Sequence, residues 1–264
     1  MSENLENWRK RLAHRLSTLG EGKQRVILFA RSIATLDAES AAKVLCEILF
    51  RAFYKRDRPS RLTAEAAVLS LATSRWPEEH RVDAAESVMV DGDRLTYLFL
   101  RGIDSSLQPE DEDTYQVPSY YSDRQLTLGE RRSIAARPNR RLIEMAMRDP
   151  HPMVALKLFD NPKLTEDDTV TIAARRPSPS AVLIELAMHP RYRTSRRVAR
   201  ALINNPNLPS GVALTLLPCL EIPYISQIAA DHRQKPLVRE AALEIISLPK
   251  KRGNFFAQST DIDF

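Results

Sequence analysis

The stretch LFDNPKLTEDDTVTIAARRPSPSAVLIELAMHP, Leu158–Pro190, decides the fold, because pieces of it occur again on both sides. IAAR at Ile134–Arg137 returns 38 residues later as Ile172–Arg175. IEMAM at Ile143–Met147 returns 41 residues later as IELAM, Ile184–Met188. DNPKL at Asp160–Leu164 returns 44 residues later as NNPNL, Asn204–Leu208. Asn and Asp end helices readily, because their side chains satisfy local backbone groups. Pro cannot continue that helix, yet it fits the first turn of the next. Thr165 or Ser210 is then placed to cap the new helix. Helices of about ten residues do not persist alone, so each must gain its stability by stacking on neighbours. A helix pair or triplet recurring at this interval is the pattern of a helical solenoid.

Working outward, TLGE at Thr127–Glu130 has the form of a capping box and opens the repeated region. Before it, DSSLQPEDEDTYQVPSYYSDRQ, Asp104–Gln125, lacks helical period and reads as a linker or long surface loop. Its acidic core, Glu110–Asp113, is expected to be solvated or to dock on the basic block C-terminal to it, with Tyr120 and Tyr121 as anchors. Further upstream the chain reads as helices. NLENWRKRLAHRLSTLG ends at Gly20, a residue suited to the left-handed C-terminal position. A short helix comes next, around Gln24–Ile33. In DAESAAKVLCEILFRAFYKR, the residues Ala41, Val44, Leu45, Ile48, Leu49 and Ala52 form one apolar stripe. Thr35 or Asp37 caps its start and Arg56–Pro59 ends it. TAEAAVLSLATSR repeats the pattern with Thr63 as cap, and PEEHRVDAAESVMV and RLTYLFLRG are weaker helices after it.

Composition excludes several classes. Only 7 Gly stand beside 17 Pro, so Pro supplies most of the punctuation. Few segments alternate at period two, which argues against sheets. The two cysteines, Cys46 and Cys219, lie in apolar helical contexts without metal-like spacing and read as small buried hydrophobes. Met1 precedes a charged helix rather than an apolar signal segment, and no run approaches the length needed to span a bilayer. A cytoplasmic protein with no membrane partner is therefore expected. Net charge is +5, unevenly spread: residues 61–130 hold 6 basic against 14 acidic residues, and residues 131–200 hold 15 against 7. Such asymmetry bears on partners rather than on fold.

The segments ARPNRRLIEMAMRDP, FDNPKLTEDDTVTIAARRPSPSAVLIELAMHP and LINNPNLPSGVALTLL resemble the units of HEAT-like and leucine-rich repeat variant proteins. In both families short helices join through Asn-Pro or Asp-Pro corners. The resemblance covers Leu128–Leu248, and the irregular unit length is closer to the HEAT-like kind. It implies an all-α fold, a right-handed α-solenoid of short HEAT-like helical repeats with a helical N-terminal half. The expected division is an N-terminal helical region (1–103), an acidic loop or linker (104–126), the solenoid (127–248) and a flexible tail (249–264). Some leucine-rich repeat variant proteins carry a Cys-ligated iron–sulfur cluster; this chain lacks the cysteines, and no cofactor is expected. Other HEAT-like proteins are alkylpurine DNA glycosylases that hold duplex DNA in a basic groove. No motif here places their catalytic residues.

The arginines are the candidate site. Arg193, Arg196, Arg197 and Arg200 are spaced to share one helix face. Arg140 and Arg141 lie in the first repeat, and Arg175 and Arg176 at the matching corner of the second. If equivalent positions stack, these eight form a stripe suited to carboxylates or phosphates, because guanidinium presents a bidentate fork. The plainer reading is a solvated face neutralised by Glu144, Glu166, Asp167, Asp168 and Glu185. His14, His80, His151, His189 and His232 are scattered, with His151 and His189 preceding Pro at corners, where a structural role is expected. No paired histidines, Gly-rich phosphate loop or nucleophile motif appears, so no catalytic or metal-binding residue is assigned. The expectation is a non-enzymatic scaffold whose partner is another protein. Nucleic-acid binding by the same arginines is the alternative, and a DNA-repair enzyme, which needs a carboxylate in a basic, aromatic-lined cleft, is the third. Phe255, Phe256 and Phe264 in the tail read as disorder or as a docking peptide.

Overall fold

A computed structural model describes residues 3–19, 22–54, 58–73, 75–102, 115–120 and 124–258. Among them are fifteen α-helices and a short 3-10 turn, and no strand, so the all-α class holds. Gly20, the acidic core Glu110–Asp113, Tyr121 and Phe264 lie outside the described residues. No described helix is long and apolar enough to cross a membrane. The chain forms two compact units. One contains residues 1–105 and 221–264, and the other residues 106–220.

The first unit contains α1 (Glu3–Thr18), α2 (Gly22–Ile33), α3 (Ala38–Tyr54), α4 (Arg58–Ala72), α5 (Glu78–Val90), α6 (Arg94–Gly102), α14 (Ile222–Ala230) and α15 (Pro236–Gln258). α3 is its centre and packs against α1, α4, α5 and α6. Every residue of its apolar stripe, from Ala41 to Ala52, is buried. Asp37 caps it, accepting from the Ser40 amide at 2.8 Å. Trp76 packs on Phe29 and donates to Nδ1 of His80 at 2.6 Å. That bond makes Nδ1 the acceptor, so Nε2 carries the proton and donates to the Leu36 carbonyl at 2.9 Å. His80 thus ties α5 to the loop entering α3.

Thr63 does not cap α4. The helix starts five residues earlier, at Arg58, because Pro59 sits in the first turn, where its missing N–H costs nothing. Thr63 is instead buried, and its hydroxyl donates to the Pro59 carbonyl at 2.8 Å. The repeated region also ends earlier than Leu248. α14 and α15 belong with the N-terminal helices, α15 packs on α6, and the Tyr54 hydroxyl donates to the Ile245 carbonyl. Nor does a tail start at 249. α15 continues to Gln258, past Pro249, whose missing N–H makes the sequence read as a stop.

The second unit is a run of seven short helices: α7 (Leu128–Ala135), α8 (Arg140–Ala146), α9 (Pro152–Phe159), α10 (Glu166–Ala174), α11 (Ser180–Met188), α12 (Arg196–Ile203) and α13 (Ser210–Leu216). Each start has a visible cause. Thr127 and Glu130 form the expected capping box. Asn139, Thr165 and Ser195 accept from first-turn amides, and Nδ1 of His151 accepts from the Met153 amide. Ser210 does not cap; it is the first residue of α13, preceded by Pro209. α9 packs on α7 and α11, α12 on α10, and α13 on α11 and α12, so alternate helices are neighbours.

The Asn-Pro corners do more than stop helices. Asn161 Nδ2 donates to the carbonyls of Ala135 (2.8 Å) and Arg137 (2.9 Å), while its Oδ1 accepts from the Lys163 amide at 3.0 Å. Asn205 repeats the arrangement with Ala173 (2.7 Å), Arg175 (3.0 Å) and the Asn207 amide (3.0 Å). Both side chains are buried. Two of the three sequence echoes are the two halves of this clamp. The IAAR segments supply the carbonyls that close a helix, and the NP corners supply the amide that binds them.

Candidate interaction surface

The acidic first turn of α10 organises the arginines around it. Asp168 closes a capping box with Thr165, accepting from its backbone amide at 3.0 Å. It is buried, and it receives Arg140 through two parallel bonds, Nη1 at 2.7 Å and Nη2 at 2.8 Å. Hydrogen bonding to Arg140, outweighing burial and aided by Thr165, pulls the Asp168 carboxyl down to about 2. Arg140 also reaches Glu144 at 2.8 Å. On the other side, Arg197 meets Asp167 at 2.7 Å and Glu166 at 3.7 Å. α8, α10 and α12 are therefore linked by alternating charge, basic, acidic, basic.

The expected stripe divides accordingly. Arg140 and Arg197 face acidic groups of the same unit. Arg175 Nη1 donates to the Met147 carbonyl at 2.9 Å, and Arg176 Nη2 to the Asn204 carbonyl at 2.6 Å. Met147 and Asn204 are the C-terminal caps of α8 and α12, where carbonyls lack helical partners and a cation is favoured. Burial, with Arg148 close by, pushes the Arg175 guanidinium below its ordinary value. Arg193 does not share a helix face with the others. α12 begins at Arg196, and Arg193 lies in the preceding turn at 1 % exposure. The pattern of threes and fours continues through Ser195, but Ser195 is the cap, so helical spacing has no meaning before it. Arg196 is exposed and Arg200 half-buried. Arg141 is exposed, and its guanidinium has no hydrogen-bond or ion-pair partner among the described residues.

A second cluster was not singled out in the sequence. Asp149, fully buried, accepts from Arg131 Nη1 with both oxygens (2.9 and 2.8 Å), from the Tyr120 hydroxyl (2.5 Å) and from the His151 amide (2.9 Å). Tyr120 is itself buried and has φ of 53°. One signal was available. Asp149-Pro150 has the same form as Asn161-Pro162, and a carboxylate in place of the amide calls for a cation where the amide takes carbonyls.

The histidines at corners have packing roles. His151 caps α9, and His189 is buried against Phe159 and Tyr192, with Nε2 3.3 Å from Asp160. Among the described residues, no group of three or more His, Cys, Asp or Glu side chains is placed to hold a metal ion. A scan against protein-family models finds no match to the chain, and neither do searches of curated proteins and of solved structures.

Proposed function

We propose that the chain is a non-enzymatic interaction scaffold of the cytoplasm, its second unit a right-handed HEAT-like α-solenoid that presents helix surfaces to another protein. The observation that carries the reading is the doubled clamp. Asn161 and Asn205 bind helix ends in the same way at the two Asn-Pro corners, so one helix-to-helix step is built twice. A repeated step generates a superhelix with an extended surface, and such surfaces serve binding more often than chemistry. The ion pairs of Arg140 and Arg197 weigh against the rival polyanion reading, since charges already neutralised release few counterions on binding.

The experiment places a photo-crosslinking residue at exposed Arg141 or Met153, with one at exposed Val90 in the other unit as control. Protein adducts at the first two positions and not at the third support the scaffold. In parallel, labelled duplex and single-stranded DNA and RNA are titrated across a salt series. Binding that weakens steeply with salt and is lost in Arg141→Glu overturns the scaffold in favour of nucleic acid. Arg141 suits this test better than Arg197, whose reversal sets a carboxylate against Glu166 and Asp167 and disturbs the helix contact itself.

A further inference from the structure

Beside the buried Arg131–Asp149–Tyr120 group lies a cleft of about 660 Å³, lined by Gln116, Val117, Pro118, Gln125, Leu126 and Arg131 among others. That volume is of the order that holds a ligand of peptide or drug size. Three features of its wall define what fits.

The first is Arg131, whose side chain is nine-tenths buried. Its Nη1 is occupied by Asp149, but its Nε is buried and has no hydrogen-bond partner. A buried donor without an acceptor is unfavourable until an oxygen reaches it. The second is charge. Arg131 is matched by Asp149, and the other arginine of the described wall, Arg124, by Glu130, so among the described residues the cleft shows no surplus cation for a phosphate or carboxylate. An uncharged acceptor, such as a peptide carbonyl, answers the donor without upsetting that balance. The third is the segment Gln116–Ser119. It lies outside any helix, and among the described residues its backbone groups make no backbone hydrogen bonds. It therefore offers main-chain donors and acceptors, together with an apolar surface at Val117, which is 48 % exposed. The positive φ of Tyr120 bends the chain at the end of this segment, and the Asp149 bond holds the bend in place. Such strain in a non-glycine residue tends to mark functional positions.

We propose that this cleft binds a short, uncharged peptide segment of a partner protein. A backbone carbonyl of the peptide accepts from the edge of Arg131 that Asp149 does not use, and an apolar side chain lies against Val117 and Leu126. The proposal rests on the scaffold reading and names where and how that scaffold takes its partner.

To test it, a phage library of short random peptides is panned against the full-length protein, and the selected peptides are labelled for fluorescence polarisation. Peptides enriched in uncharged and apolar residues are expected. Val117→Asp and Arg131→Lys should each weaken their binding about tenfold or more, the scale of losing one well-placed contact. Val90→Asp, at an exposed position of the other unit, should leave it unchanged. Lysine preserves the charge facing Asp149 but lacks the second guanidinium edge; where Arg131→Lys lowers the folded fraction, the surface variant Val117→Asp decides. Failure to enrich any peptide, equal binding to all variants, or displacement of the peptides by inorganic phosphate overturns the proposal. Crosslinking to a protein at Arg141 or Met153 together with such a failure removes the cleft and leaves the scaffold. Peptide binding that is lost in Val117→Asp, without those adducts, keeps the cleft and removes Arg141 and Met153 from the interaction surface.

Discussion

Asn161 uses one amide for two tasks, closing its own turn through Oδ1 and binding two distant carbonyls through Nδ2. Alanine at this position leaves the carbonyls of Ala135 and Arg137 without that donor in a buried place. A loss of about 2–3 kcal/mol of unfolding free energy is expected, and the same for Asn205→Ala. Asn207→Ala, at the partly exposed neighbour, should stay within about 0.5 kcal/mol. Urea unfolding of the three variants checks this. Equal effects at all three positions would contradict the clamp. The corner residues were visible in the sequence as helix stops, which is their local half. Their long-range half was not, because the carbonyls they bind belong to residues 24 to 32 positions earlier, and a backbone acceptor leaves no mark on residue type.

The acidic turn of α10 makes its prediction at the level of the helix row. Asp168 holds its charge down to about pH 2 because Arg140 lies against it. A carboxyl whose folded pKa is depressed contributes stability above its ordinary value of 3.8, and that stability is lost as pH falls from there toward 2. In Arg140→Gln, the Asp168 titration followed by carbon-13 NMR should move up toward the ordinary range, and the acid limb of the stability curve should flatten. An unchanged titration would mean that Thr165 alone holds the charge. The element boundaries show what pattern alone can resolve. The α3 stripe was legible because one face is buried along its whole length. Thr63 and Arg193 misled because residues of suitable type sat near helix starts that Pro59 and Ser195 fix elsewhere. The arginine stripe was legible as a cluster but not as a surface. Whether a guanidinium meets solvent, a carboxylate or a helix-end carbonyl depends on helices about 28 residues away.

Across the whole molecule, the chain leaves the first unit at residue 105 and returns to it at 221. The return was hidden because Pro218 and Pro223 continue the punctuation of the corners, so α13 and α14 read as one more repeat. A chain ending at Leu220 lacks α14 and α15, and α6 then loses one of the helices that pack on it. Hydrogen exchange should show amides of α3 and α6 losing protection, while those of α9 to α12 keep theirs; uniform loss would contradict the two-unit division. The corners also bear on how long the protein lasts. Asparagine ages by deamidation, in which the next backbone nitrogen attacks the side-chain carbonyl and ammonia departs. Proline has no N–H with which to make that attack. At Asn161-Pro162 and Asn205-Pro206 the ring that turns the chain therefore also closes the usual route to aspartate. A carboxylate there would face two carbonyl oxygens, and the clamp would become a repulsion. The proline that shapes each corner keeps its chemistry from drifting with time.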